Sequence, residues 1–275
     1  MNNNILNILI INLKTENKRR ISCLKELDKI NISKNIKIIN AIDADTAKSH
    51  KYNMEISAYN NITEKLKDTS ILPTWEAFAC SLSHLKCWKE CHNNKYVLII
   101  EDDFEITNSK IFNFNLQKGI NYLLRHDYDF ELPNDKTGYK KRPIIITFDA
   151  TGNSSKILDN FQKFKGMFQN THCYLINNFC AKYLINKIYP IKFQLDLHIG
   201  SLIKLNNLIV YNFNNSGTRQ NPNYLSSVQY YFIKENELQA IFYEKLPFVL
   251  AKNIYSFLIK RSEVSNSCYD NCINN

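Results

Sequence analysis

The sequence predicts an α/β domain with a mainly parallel central sheet, and three observations predict it. Short runs that are almost wholly apolar, such as ILNILIINL (5–13) and YVLII (96–100), read as strands covered on both faces. Segments with helical spacing of apolar residues lie between them, and such alternation builds parallel sheets through crossover helices. Hydrophobic residues make up 44% of the 275, enough to fill a sizeable core.

ILNILIINL is the first strand. TENKRRISCLKELDKI (15–30) reads as a helix, with Ile21, Leu24 and Leu27 on one side and Thr15 as its cap. KNIKIINAI is the second strand and runs up to Asp43 and Asp45. Residues 46–72 are polar and irregular, a long loop or small excursion. Pro73 and Thr74 open a second helix that continues through CSLSHLKCWKEC (80–91). YVLII is the third strand, and 108–125 the next helix. The polar stretch 126–142 reads as an exposed connection. PIIITFDA (143–150) is a fourth strand, starting at Pro143, where a missing N–H does least harm. HCYLI (172–176) is a short strand, NFCAKYLINKIY (178–189) and LDLHIGSLIKL (195–205) are helices, and NLIVYNF (207–213) is a late strand. From Lys234 the chain alternates apolar and basic residues. The expected organisation is therefore one domain over 1–235 and an amphipathic helical tail over 236–275. Docking of the tail on the domain is favoured over peripheral contact with a membrane surface.

The formal net charge is +9, which suits anionic partners such as nucleotide phosphates. Lys and Arg are spread along the chain, however, and no RNA- or DNA-binding motif is present, so nucleic acid is not an expected partner. Eight cysteines occur without a CxxC pair, mostly in apolar segments, as reduced buried thiols do. The N-terminus lacks the basic region and cleavage site of a signal peptide, and no apolar run is long enough to span a bilayer. A cytoplasmic location is expected. The absence of GxSxG, Walker and GxGxxG patterns counts against hydrolase, P-loop and dinucleotide-binding readings.

The chemistry concentrates where YVLII runs into Glu101, Asp102 and Asp103. In an extended chain Glu101 and Asp103 share one side and Asp102 takes the other. Crowded carboxylates favour protonation unless a cation sits among them. Oxygen ligands suit a hard divalent ion, Mn²⁺ with Mg²⁺ as the alternative, which can bridge a diphosphate and neutralise charge as the phosphate leaves. The competing structural reading is a set of surface acids, or carboxylates at a helix N-terminus. Cys80, His84, Cys87 and Cys91 form one helical stripe. One straight helix cannot wrap four ligands around an ion, so a buried face of small residues is favoured and zinc would need outside ligands. Arg19 and Arg20 read either as a solvated helix face or as a diphosphate clamp.

Several segments together resemble glycosyltransferase family 25, whose members include bacterial lipooligosaccharide and procollagen galactosyltransferases. IINLKTENKRR (10–20) is similar to the family's opening strand with its paired arginines, and INAIDA (39–44) to its Ala-x-Asp segment. ACSLSHLKCW (79–88) resembles the Gly-Cys-x-Leu-Ser-His-x-x-x-Trp pattern, with Ala79 where Gly is usual. VLIIEDD (97–103), THCYLINNFCAKYLI (171–185) and LDLHI (195–199) follow in the family's order. Ala77 departs from it, standing where the family often has an acid, with Glu76 shifted by one.

The resemblance implies a GT-A-type, Rossmann-like nucleotide-sugar transferase fold, a Mn²⁺-assisted UDP-sugar donor site and inversion at the anomeric carbon. Glu101, Asp102 and Asp103 would hold the metal as a DxD-like cluster. Asn12, Arg19, Arg20, Ala41 and Asp43 would line the nucleotide, with Ser83 and His84 beside the sugar and phosphates. Inversion needs a base for the acceptor hydroxyl, and Asp196 is the candidate. His198 joins it as a further ligand only if the segment is extended. The implied reaction moves a hexose, galactose from UDP-galactose first, to a hydroxyl on a glycan or protein. The alternatives are a UDP-glucose-dependent enzyme, a non-catalytic sugar- or nucleotide-binding member, and a metal-dependent phosphoesterase.

Overall fold

The apolar runs become the strands of one sheet. A computed structural model describes residues 5–224, apart from 66–71, 92–93, 95, 126–127, 130–139, 142, 159–160 and 206. In chain order the elements are β1 (Leu6–Asn12), α1 (Asn17–Leu27), β2 (Lys34–Asn40), α2 (Ala44–Lys48), a 3₁₀ turn (Lys51–Asn53), α3 (Ile56–Thr63), α4 (Trp75–Glu90), β3 (Tyr96–Glu101) and β4 (Phe104–Ile106). There follow α5 (Ser109–Arg125), β5 (Tyr128–Asp129), β6 (Lys140–Lys141), β7 (Ile144–Phe148), β8 (Thr151–Leu158), β9 (Phe161–Gln169), β10 (Cys173–Asn177), α6 (Asn178–Ile188), α7 (Leu195–Lys204), β11 (Ile209–Phe213) and β12 (Thr218–Gln220).

The main sheet has eight strands in the order β2-β1-β3-β10-β7-β11-β9-β8. It is mixed, which corrects the expectation of a mainly parallel sheet. β1–β2, β1–β3 and β7–β11 pair in parallel. β3–β10, β10–β7, β11–β9 and β9–β8 pair antiparallel. A strand buried on both faces gives the same continuous apolar run whichever way it points, so the pattern reveals the strand but not its direction.

Side chains alternate across the sheet into two cores. Leu9, Ile11, Val97, Ile99, Tyr174 and Ile176 face the core roofed by α4, α6 and α7. Ile8, Ile10, Leu98, Ile100 and Leu175 face the core beneath α1 and α5. In α1 the buried positions are Cys23 and Leu27, while Ile21 is exposed. The helix face thus runs through a cysteine acting as a small apolar residue, rather than through Ile21. Thr15 is not the cap; Glu16 holds that position without a side-chain bond. α4 begins as its sequence suggests, with Thr74 Oγ1 accepting from the Ala77 N–H at 3.2 Å. The segment 46–72 carries short helices rather than a plain loop.

No helix among the described residues is long and apolar enough to cross a membrane. The tail expected over 236–275, its boundary at 235 and its membrane contact lie outside the described residues.

Candidate active site

Because β2, β1 and β3 are parallel, their carboxyl ends lie along one edge, where α/β sheets bind ligands. Asn12 pairs in register with Asn40, and Ile11 with Glu101. The chain leaving β2 stays on that edge, where the Ala41 N–H donates to Asn12 O at 2.9 Å. Asp43 caps α2, accepting from the Thr46 N–H at 2.7 Å and the Thr46 hydroxyl at 3.0 Å. Those bonds hold its carboxyl below the usual range. Arg20 lies on the first turn of α1 and reaches Asn17 Oδ1 at 2.6 Å.

The chain turns between β3 and β4, and each carboxylate gains its own set of partners, with Arg19 shared by Asp102 and Asp103. Arg19 Nη2 pairs with Asp102 Oδ1 at 2.6 Å and reaches Asp103 Oδ2 at 3.3 Å. Asn12 Nδ2 donates to Asp102 Oδ2 at 2.6 Å. Gln220 Nε2 donates to Asp103 Oδ2 at 2.7 Å. Asp103 Oδ1 and Asn12 Oδ1 are buried with no hydrogen-bond partner among the described residues. Burial pushes Asp102 up to about 6 despite Arg19 and Asn12, and pushes Asp103 up to about 6 together with the charge of Glu101. For Glu101 burial acts in the same upward sense, but the hydrogen bond and charge of His84, with help from His172 and Arg19, hold its carboxyl below the usual range.

His84 sits on the buried face of α4. Its Nε2 is 3.4 Å from Glu101 Oε1 and its Nδ1 is 2.8 Å from Tyr174 Oη, which also accepts from Trp88 Nε1 at 2.9 Å. The rings of His84 and Tyr174 stack with centroids 5.7 Å apart. Ser83 ties the framework: its hydroxyl donates to Ala79 O at 2.8 Å and accepts from the Ile42 N–H at 2.8 Å. It therefore fixes the Ala41–Asp43 segment against α4.

A small cleft, open to solvent and with a cavity volume of about 90 Å³, lies beside Glu101, with Ala77, Cys80, Thr171, Asp196 and Gln220 among its walls. Asp196 stands in the first turn of α7 and accepts from the Asn170 N–H at 3.0 Å. Asn170 itself adopts a left-handed φ of 75°. Burial, then the charge of Glu101, pushes Asp196 up to about 6 against the Asn170 bond. Cys80 reaches the same cleft, and burial with the charges of Glu101, Asp196 and Asp103 holds its thiol well above its ordinary range. The segment carrying Asp196 is helical, so His198 diverges from it and its Nε2 approaches Lys187 O at 3.0 Å. His198 is thus not brought to the acids.

The structure brings Asn12, Arg19, His84, Glu101, Asp102, Asp103 and Asp196 to one edge. Asp43 and Arg20 lie on the same side with local partners. Sequence reading missed Gln220, Tyr174 and Asn170. Gln220 arrives because β12 pairs with β4, a contact 117 residues apart in the chain. Gly217 makes that approach possible with φ 76°; a Cβ there would lie 2.5 Å from Asn108 O and 2.8 Å from Phe112 N. An isolated glycine just before TRQ was the available signal.

The family model described as Glycosyltransferase family 25 (LPS biosynthesis protein) matches residues 5–199, a span that holds every site residue expected from the sequence. No curated protein matches the chain. The match covers most of the chain: the chain belongs to glycosyltransferase family 25 and is a glycosyltransferase of the LPS-biosynthesis type.

Proposed function

We propose that this glycosyltransferase moves a hexose, galactose from UDP-galactose, to a hydroxyl on a glycan or protein, with inversion and with Mn²⁺ or Mg²⁺ at the acidic edge. The fold expected with that reading is of the GT-A type. The observation that carries the proposal is the set of buried carboxylates with an orphaned Asp103 Oδ1 and, beside them, an orphaned Asn12 Oδ1. Buried oxygens without donors suit a hard cation. Glu101, Asp102 and Asp103 would hold the ion, which when bound supplies charge neutralisation to the departing diphosphate.

The chain's own residues do the rest. Asn12 and Arg19 orient Asp102, Gln220 orients Asp103, and His84 steadies Glu101. Arg20, Ala41 and Asp43 form the nucleotide side, with Ser83 holding that side to α4. Asp196 takes the proton from the acceptor hydroxyl as it attacks. A carboxyl near pKa 6 is ionised at neutral pH yet basic enough for that transfer. UDP-glucose differs from UDP-galactose at one hydroxyl and is the alternative donor.

The test is UDP release from a panel of nucleotide sugars, with and without Mn²⁺. UDP-galactose should be turned over fastest, only with the ion, and Asp103→Ala should abolish turnover while the circular dichroism spectrum is kept. Turnover that survives both chelation and Asp103→Ala would end the metal reading. Binding of UDP-sugar without turnover in any acceptor array would favour a non-catalytic member. Cleavage of plain DNA or RNA, with UDP-sugars untouched, would favour a phosphoesterase.

A further inference from the structure

We propose that Cys80, His84 and Glu101 form a site for a thiophilic divalent cation, zinc in the first instance, in the floor of the cleft. One ligand atom from each of the three lies within 4.8 Å of the others. Cys80 and His84 are four residues apart on α4, so they share one helix face. Glu101 comes from the end of β3 and closes the third side.

The spacing suits a small ion. A tetrahedron built on zinc bonds of about 2.0–2.3 Å has edges of about 3.3–3.8 Å. His84 Nε2 and Glu101 Oε1, at 3.4 Å, already form such an edge. The Cys80 side chain, which turns about a single χ angle, has to move by at most about 1.5 Å to complete the set.

The donor set selects the metal class. A sulfur, an imidazole nitrogen and one carboxylate oxygen favour zinc or cobalt over Mn²⁺ or Mg²⁺. Cys80 is the single described cysteine that is not fully buried. Cys87 and Cys91 belong to the core, with Cys91 Sγ against Cys87 O at 3.2 Å, so Cys80 is the member of the stripe that lines the cleft, with His84 buried behind it. The outside ligand that the stripe lacks is supplied by β3.

A supporting shell is present. With its proton on Nδ1, His84 donates to Tyr174 Oη at 2.8 Å, and Trp88 fixes that hydroxyl from the other side at 2.9 Å. The Nε2 lone pair is then left free on the side of Glu101, the arrangement that orients metal-bound imidazoles. Cys80 and Glu101 line the cleft, so an ion held there would exchange with solvent. A Glu101 carboxylate drawn to this ion is drawn away from a hard ion held with Asp102 and Asp103. Zinc inhibition of UDP release therefore follows; that consequence alone rests on the donor proposal, and the site itself does not.

Cobalt(II) is the probe, added to the full-length, reduced protein in the absence of any nucleotide. A single equivalent should give a thiolate-to-cobalt charge-transfer band and intense four-coordinate visible bands, both displaced by zinc. Cys80→Ser should lose the charge-transfer band and Cys87→Ser should keep it. Tyr174→Phe should lower cobalt affinity by about 10- to 100-fold. No charge-transfer band in the unmodified protein, or an undiminished band in Cys80→Ser, would overturn the site. If Cys80→Ser does not fold, alkylation of the unmodified protein followed by mass mapping decides: zinc should shield Cys80, and equal labelling with and without zinc refutes the proposal. No arm reads UDP-sugar turnover, so its failure leaves the donor proposal standing.

Discussion

Replacing Asp196 by asparagine should make the protein more stable and less active at once. The carboxyl is pushed from its usual 3.8 to about 6. At about 1.4 kcal/mol for each tenfold change in proton affinity this is at most about 3 kcal/mol, and partial contact with the open cleft reduces it to about 1–2 kcal/mol. The sign follows from linkage. A folded pKa above the unfolded one means that the native state binds the proton more tightly, so stability falls as pH rises from 3.8 toward 6. The full penalty stands above that window and vanishes below it. The asparagine side chain would keep an oxygen for the Asn170 N–H and carry no charge. Urea denaturation of Asp196→Asn beside the parent should therefore show equal stability at about pH 3 and a gain of about 1–2 kcal/mol at pH 7.

The same substitution removes the proposed base, and transfer should fall by about 10²- to 10⁴-fold. Activity of the parent should drop as pH falls through about 6, where Asp196 takes up its proton. A variant that is less stable at pH 7, or that transfers sugar at the parent rate, would refute the reasoning. The first result would mean that the acid is not strained by burial, and the second that another group accepts the proton.

Two further outcomes follow from the supports of the site. Arg19→Met leaves Asp102 and Asp103 buried without their guanidinium and should cost about 2–4 kcal/mol in urea denaturation, with part recovered by adding Asp102→Asn. Gly217→Ala forces a Cβ into Asn108 O and Phe112 N at a left-handed φ, and should cost about 1–3 kcal/mol in thermal melts. Because that shift displaces β12, it should also lower Mn²⁺-dependent UDP release beyond what the stability loss explains.

Much of this site was legible because its parts sit at strand ends. Asn12, Glu101, Asp102 and Asp103 each follow an apolar run directly, and apolar runs are the strongest signal in this sequence. Strand direction was not legible, nor were β8 and β9. In β8, TGNSSKIL, there is little apolar periodicity to find, since it is the last strand of the sheet and its first residues are exposed. The contacts that orient the acids were hidden for a different reason. Asn12 and Asp102 are 90 residues apart, and Gln220 and Asp103 are 117 apart. Such pairs are created by strand order and loop closure, which local patterns do not encode. His84 shows the middle case: its place on a helix was readable, but Tyr174 and Glu101, which give it a role, come from other elements.

Net charge points the wrong way for this cleft. The chain is +9 overall, yet Glu101 and Asp196 line the cleft, Asp102 and Asp103 follow Glu101 directly, and Arg19 is the guanidinium ion-paired to Asp102 and Asp103 among the described residues. Lysines scattered over the surface are screened within about 8–10 Å and do little for a ligand in that cleft. A diphosphate approaching the bare edge meets excess negative charge. In the proposed reading a divalent cation on the orphaned oxygens would reverse that local field, and ion and nucleotide would then strengthen each other's binding by the same factor. On the proposed metal reading, the raised pKa values of Asp102 and Asp103 are the cost of an edge built for an ion, and UDP affinity should rise when Mn²⁺ is added and fall back on chelation.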